Sequence, residues 1–297
     1  MPPIPPPLED GYTSSTTLPL YWCRYAPPAP VGRLMLLHGG PGAHHDYLLP
    51  QMLELARTHD VLLYDQRGGG RSKTDDRTPI TWQTHVADLA AVLAERHEGP
   101  LTLVGYSWGA MLAMLYAIEA AAGRVTPAPA RLVLINPAPL TRAWRGEFEA
   151  EFSRRQQGEA VTAMRAELAA SGLRERDPDA YKQRAFELSV AGYFADPSRT
   201  HDLTPFRVTG RVQQSVWESL GEFDLLPALR TVRLPALVVH GRQDPIPLDS
   251  AQACAEALGA EGVWLDDCGH VPYVEQPAQL FAALAEFLDR TEPSPSR

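Results

Sequence analysis

Five short apolar runs, each closed by turn residues, limit most strongly how this chain folds: residues 34–37, 61–64, 101–104, 132–135 and 236–239. They are rich in Val, Ile and Leu without polar alternation, the pattern of strands buried on both faces of a parallel sheet. Between them lie stretches with helical spacing, at residues 48–58, 82–96 and 108–122. Strands alternating with helices predict a mostly parallel, doubly wound α/β sheet with right-handed crossovers. Residues 18–25 are expected to add antiparallel edge strands.

One interval breaks this rhythm. Between Pro137 and Pro235 stand 97 residues, whereas a crossover with its helix needs about a dozen. Trp144, Phe148 and Phe152 recur at helical spacing, followed by Tyr181, Phe186, Tyr193 and Phe194 among charged residues, so several amphipathic helices are expected. The predicted organisation is a helical cap over residues 138–226 inserted into a core formed by residues 1–137 and 227–297. Such an insertion leaves the carboxyl end of a strand, where open α/β sheets bind ligands, so the cap is expected to roof the site.

Composition narrows the partners. The chain has 297 residues, 44% hydrophobic and 21% charged, the make-up of a globular protein. Its net charge of -9 comes with no run of Lys or Arg, which argues against a nucleic-acid partner. Cys23, Cys254 and Cys268 form neither a disulfide framework nor a metal knuckle, and a reducing cytoplasm is the expected setting. The proline-rich first eight residues have no basic or apolar region of a secretory signal. No apolar stretch approaches the roughly 18 residues of a membrane span. A monomer is the expected state, and residues 291–297 are expected to fray.

The chemistry is carried by Gly105-Tyr106-Ser107-Trp108-Gly109, set between the apolar run at 101–104 and a helical stretch starting near Trp108. A G-x-S-x-G there forms a sharp strand-to-helix turn that lifts the serine hydroxyl out of the sheet. The helix start directs free N–H groups at charge developing during attack. A serine needs a base to take its proton and a carboxylate to orient that base. His270 is the only histidine after Asp244, and Asp244 follows the run at 236–239 across a short loop, giving the order serine, acid, histidine. Asp249, Asp266 and Asp267 stand as alternative acids, with Asp249 better suited to capping the helix that follows it. Trp108 supplies one expected oxyanion N–H. Gly40, in His38-Gly39-Gly40-Pro41-Gly42, is the candidate for the second, since Pro41 has no N–H. His38 reads as a structural hydrogen-bonding residue and His44-His45-Asp46 as solvated loop. The glycine-rich Asp65-Gln66-Arg67-Gly68-Gly69-Gly70-Arg71-Ser72 lacks nucleotide-binding spacing and reads as a structural loop lining the site.

The motifs around His38–Gly42, Asp65–Ser72 and Gly105–Gly109, in that order, resemble those of the proline iminopeptidases and their relatives among the α/β-hydrolases. The resemblance covers nearly the whole chain and implies the α/β-hydrolase fold. It also implies release of an N-terminal proline or small hydrophobic residue from short peptides, with no metal or cofactor. Gly40 and Trp108 match the oxyanion donors of that family. The substrate amine would need an acidic partner near the end of the cap. Glu218, after Trp217, is the first candidate, with Glu222 and Asp224 beside it; Pro245 stands where some shorter relatives carry an acid. A carboxylesterase or amidase using the same three residues is the alternative, and a non-catalytic binding protein on this fold a third.

Overall fold

The computed structural model describes residues 4–290; the frayed-tail expectation for residues 291–297 lies outside them. Eight strands form one sheet: β1 (Glu9–Tyr12), β2 (Tyr21–Tyr25), β3 (Arg33–Leu37), β4 (Asp60–Tyr64), β5 (Leu101–Tyr106), β6 (Pro129–Ile135), β7 (Ala236–Gly241) and β8 (Glu261–Leu265). Their spatial order is β1-β2-β4-β3-β5-β6-β7-β8. β2 pairs antiparallel with both β1 and β4, and β3 to β8 run parallel. All five apolar runs are strands. β1 is an edge strand with mostly exposed side chains, so no buried face printed a pattern in its sequence.

The helices are α1 (Trp82–Arg96), α2 (Trp108–Ala121), α3 (Arg142–Gln156), α4 (Glu159–Ala170), α5 (Leu173–Arg176), α6 (Pro178–Val190), α7 (Gly210–Leu220), α8 (Leu226–Leu229), α9 (Leu248–Leu258), α10 (Pro272–Glu275) and α11 (Pro277–Leu288). Residues 48–58 do not form one α-helix. Pro50, without an N–H, divides them into 3-10 turns at His45–Leu48 and Gln51–Arg57. α1 starts where Thr81 and Thr84 close a capping box. Asp249 lies in the first turn of α9 rather than at its N-cap, a position held by Pro247.

Alternate residues of β3 to β7 feed two cores. Met35, Leu37, Leu62, Leu103, Leu134 and Val238 face the layer of α1, α2 and α9. Leu34, Leu36, Val61, Val133, Leu237 and Val239 face the layer containing α11 and the turn at Gln51–Arg57. This two-sided burial is why the strands read as unbroken apolar runs. From β3 the chain crosses to β4 on one side, yet β5 returns to pair with β3 on the other. The connections therefore diverge at β3 and β5 and leave a crevice at their carboxyl ends. α3 to α7, with short 3-10 turns, form a helical insertion between β6 and β7.

Candidate active site

Ser107 is the residue that turns β5 into α2, with φ 56° and ψ -120°. It is one of three non-glycine residues with positive φ among those described, a strained conformation that an elbow imposes. The flanking glycines make the turn possible. A Cβ on Gly109 would collide with the carbonyl of Leu37, and one on Gly105 with Gly109 and Ala110. Serine at an N-cap usually bonds back to its own helix, but the Ser107 side chain makes no such bond. Its hydroxyl instead donates to His270 Nε2 at 2.9 Å.

The other imidazole nitrogen, Nδ1, donates to Asp244 Oδ2 at 2.7 Å. Asp244 follows β7, and its Oδ1 accepts the Ile246 N–H at 2.8 Å, which fixes the carboxylate against its own loop. Burial alone would raise the Asp244 pKa, but the facing His270 and His240 imidazoles and the hydrogen bonds reverse this and hold it below the ordinary value. The carboxylate is therefore charged and acceptor-only, which assigns the proton to His270 Nδ1 and leaves Nε2 to receive the serine proton. Such an arrangement can activate a hydroxyl for attack on a carbonyl. Of the alternative acids, Asp266 pairs with Arg242 at 2.9 Å on the exposed surface.

Aromatic packing and backbone bonds seat His270. Tyr193 of the insertion stacks on its ring, centroids 5.0 Å apart. The Tyr193 carbonyl accepts the His270 N–H at 2.7 Å, and the Tyr106 hydroxyl donates to the His270 carbonyl at 2.9 Å. Sequence reasoning passed over Asn136. At the end of β6, with φ 42°, its Nδ2 donates to Asp244 Oδ2 at 2.6 Å and to the Gly269 carbonyl at 3.0 Å. A polar residue closing an apolar strand beside the site was the only available signal.

Gly40 and Trp108 border the Ser107 cavity. Among the described residues, neither backbone N–H is spent on a protein acceptor. The loop carrying Gly40 is held from behind: His38 Nδ1 donates to the Gly39 carbonyl at 2.9 Å and its Nε2 accepts the Gln66 N–H at 3.1 Å. Trp108 Nε1 donates to Gln66 Oε1 at 2.8 Å, tying both sides of the loop together.

Three sequence readings are corrected by placement. Glu218 does not reach the cavity; its exposed carboxylate accepts from Gln214 at 2.7 Å beside a separate depression near Arg77. Its neighbour Trp217 is the one that enters, because side chains one residue apart on α7 point about 100° apart. The loop Asp65–Ser72 does not line the site but packs behind it, with Gly69 against the Ala43 backbone and Arg67 paired to Asp88. His45 is buried rather than solvated, with Nδ1 2.7 Å from Asp65 Oδ1 and Nε2 3.2 Å from Cys23 Sγ. Burial opposes its charge, but the Asp65 hydrogen bond carries its pKa up to about 10.

The cavity measures about 560 Å³ and lies between the crevice and the insertion. Its walls are largely aromatic, with Phe148, Phe152, Phe186, Tyr193, Phe206 and Trp217 supplied by the insertion. Its charged side chains among the described residues are Arg145 and Glu149, one turn apart on α3. No group of three or more His, Cys, Asp or Glu among the described residues is arranged to hold a metal ion. No described helix is long and apolar enough to cross a membrane.

Comparison with known proteins agrees with the fold. The chain is 26% identical over 267 residues to a proline iminopeptidase of Lactobacillus delbrueckii subsp. bulgaricus, covering 86% of this chain and 89% of that one. Its fold resembles the crystal structure of a proline iminopeptidase from Mycobacterium smegmatis, with TM-score 0.67, 22% identity and coverage of 94% and 97%. It also resembles an enol-lactonase from Burkholderia xenovorans, with TM-score 0.63, 21% identity and coverage of 95% and 100%. A model of the alpha/beta hydrolase family matches residues 34–284, and the chain belongs to that family.

Proposed function

We propose that this protein is a serine hydrolase in which Ser107 attacks a carbonyl carbon, His270 takes the serine proton and Asp244 orients the imidazole. The observation that carries the reading is the unbroken line of hydrogen bonds Ser107–His270–Asp244 at 2.9 and 2.7 Å. Attack makes a tetrahedral oxyanion, which the N–H groups of Gly40 and Trp108 receive. His270 then passes its proton to the leaving group, and an acyl-enzyme remains. Water activated by the same imidazole releases the acid and restores Ser107. No metal or cofactor enters these steps. Residues 138–226 act as the cap, whose aromatic side chains exclude water and shape the acyl site.

The finer reading is an aminopeptidase that releases N-terminal proline or a small hydrophobic residue from short peptides. It is supported by the iminopeptidase relatives and by an apolar cavity with one acid, Glu149, on its wall. Arg145 Nε already donates to that acid at 2.7 Å, which favours a second reading, hydrolysis of small esters or amides without a free amine. The test compares kcat/KM for proline p-nitroanilide, its N-acetylated counterpart and p-nitrophenyl butyrate. Strong preference for the free amine supports the aminopeptidase; fast ester cleavage with indifference to the amine supports the esterase. Turnover of none of them, with no labelling of Ser107 by an active-serine probe, overturns the hydrolase assignment.

A further inference from the structure

Arg145 is placed unlike an ordinary helix-surface arginine. It lines the Ser107 cavity, its side chain is 17% exposed, and its guanidinium carbon lies 3.8 Å from the centroid of the Trp217 ring. The Trp217 ring meets the Trp108 ring edge-on at 5.8 Å, so the guanidinium is linked by two ring contacts to the residue after Ser107. A guanidinium held over an aromatic face keeps N–H donors for other acceptors.

The hydrogen bonding of that edge is incomplete. Nε donates to Glu149 Oε1 at 2.7 Å, but Nη1 is buried and has no acceptor among the described residues. Burial drives the guanidinium pKa down against the pull of Glu149. A buried cationic donor without a partner is costly, and among the described residues lining the cavity Arg145 is the only Arg or Lys. Glu149, also on the cavity wall, is by contrast 49% exposed. The inner charged group is therefore a cation with an open donor, and a planar guanidinium edge matches a carboxylate.

We propose that Arg145 is a specificity-determining residue that receives a carboxylate of the substrate, so that the hydrolase acts by preference on small acids bearing a cleavable ester or amide. The inference rests on the Ser107 hydrolase reading. The carboxylate can sit on the acyl side, as in a dicarboxylic monoester, or on the leaving group, as in the C-terminus of a dipeptide. In either case the guanidinium binds it, and bond cleavage remains the work of Ser107 and His270.

Two substrate pairs separate these sources, each differing only in the anion: monoethyl succinate against ethyl butyrate, and Pro-Ala against Pro-Ala amide, followed in a pH-stat or by product chromatography. Wild type is expected to favour the anionic member of at least one pair by 10-fold or more in kcat/KM. Arg145→Met should abolish that ratio, and Arg145→Lys should retain part of it. A readout independent of turnover is tryptophan fluorescence on titration with hexanoate and hexanamide. Hexanoate should bind wild type about 10-fold more tightly than hexanamide, and Arg145→Met should bind the two alike. Equal kcat/KM within both pairs, or equal binding of the two titrants by wild type, overturns the inference. If p-nitrophenyl butyrate is still cleaved with Ser107 required, the hydrolase reading survives that failure. If hexanoate is preferred but no ester or amide is cleaved, the carboxylate site stands and the hydrolase reading falls.

Discussion

Asn136 donates through Nδ2 to Asp244 Oδ2 at 2.6 Å, the same oxygen that receives His270 Nδ1–H at 2.7 Å. With Ile246 N–H on the other oxygen, the carboxylate has three donors around it and little freedom to rotate. Asn136→Asp keeps the shape and tolerates the positive φ, but sets a second carboxylate against Asp244. Two such groups cannot both ionise at this distance, so the pair must hold one shared proton to keep its geometry. Activity of the variant is expected to fall as pH rises and that proton is lost, in a range where wild type is still active. A kcat/KM profile from pH 5 to 9 checks this; a profile matching wild type would remove Asn136 from the positioning of Asp244.

Ser107→Ala should lower turnover of any cleaved ester or peptide by several orders of magnitude, since loss of one member disables the group acting as a unit. The helix start and both flanking glycines are untouched, so circular dichroism should be unchanged. Residual turnover within 10-fold of wild type would place the nucleophile elsewhere.

Glu149 and Glu218 give opposite expectations for an amine-binding role. Glu218→Gln removes a charge outside the cavity and should leave kcat/KM for proline p-nitroanilide within about 2-fold of wild type. Glu149→Gln releases Arg145 Nε from its ion pair. It should weaken turnover of the free-amine substrate and raise preference for the anionic member of a substrate pair. Measuring both ratios on both variants decides which acid the substrate meets.

Stability should decline in acid well before the carboxylates alone would cause it. His38 and His85 are buried, and burial lowers their pKa values to about 4 and about 3. In the unfolded chain both titrate near 6.5, so between these values the unfolded state binds more protons and folding weakens as pH falls. For His38 the difference is worth on the order of 3 kcal/mol, present above about pH 6.5 and lost as pH falls through 4. Protonating its Nε2 also forfeits the Gln66 N–H bond that holds the Gly40 loop. Urea unfolding at pH 7.5, 5.5 and 4.5 should show a falling midpoint, with a shallower fall in His38→Gln.

What could be read in the sequence was whatever one local pattern determines. The strand runs were visible because both sheet faces are buried, and Ser107 because an elbow demands glycine on either side. Asp244 and His270 followed from chain order at strand ends. Arg145 and Glu149 were not singled out, because a pair four apart on a helix reads as solvent-exposed. Only the packing of α3 shows that residues 145, 148, 149 and 152 face the cavity, while Trp144 packs against the main core. Glu218 was misplaced for the same reason: spacing gives neighbours on a helix but not which face the rest of the protein covers.

Glu275 is a buried carboxylate that joins the insertion to the His270 loop. Its Oε2 accepts the N–H groups of Ala195 and Gly269 at 2.8 and 3.0 Å, and Oε1 accepts Val271 N–H at 3.1 Å. Burial raises its pKa while these donors oppose the rise. Gly269 and Val271 flank His270, so the carboxylate fixes the backbone that aims the imidazole at Ser107. Glu275→Gln turns one acceptor oxygen into an NH2 group facing an N–H donor, leaving at least one buried donor unpaired at a cost of about 1–3 kcal/mol. The expected result is a Tm lower by several degrees and a kcat reduced about 10-fold or more with KM little changed, because no substrate contact is lost. A fall in Tm with kcat intact would make Glu275 a tether of the insertion alone, without a part in positioning His270.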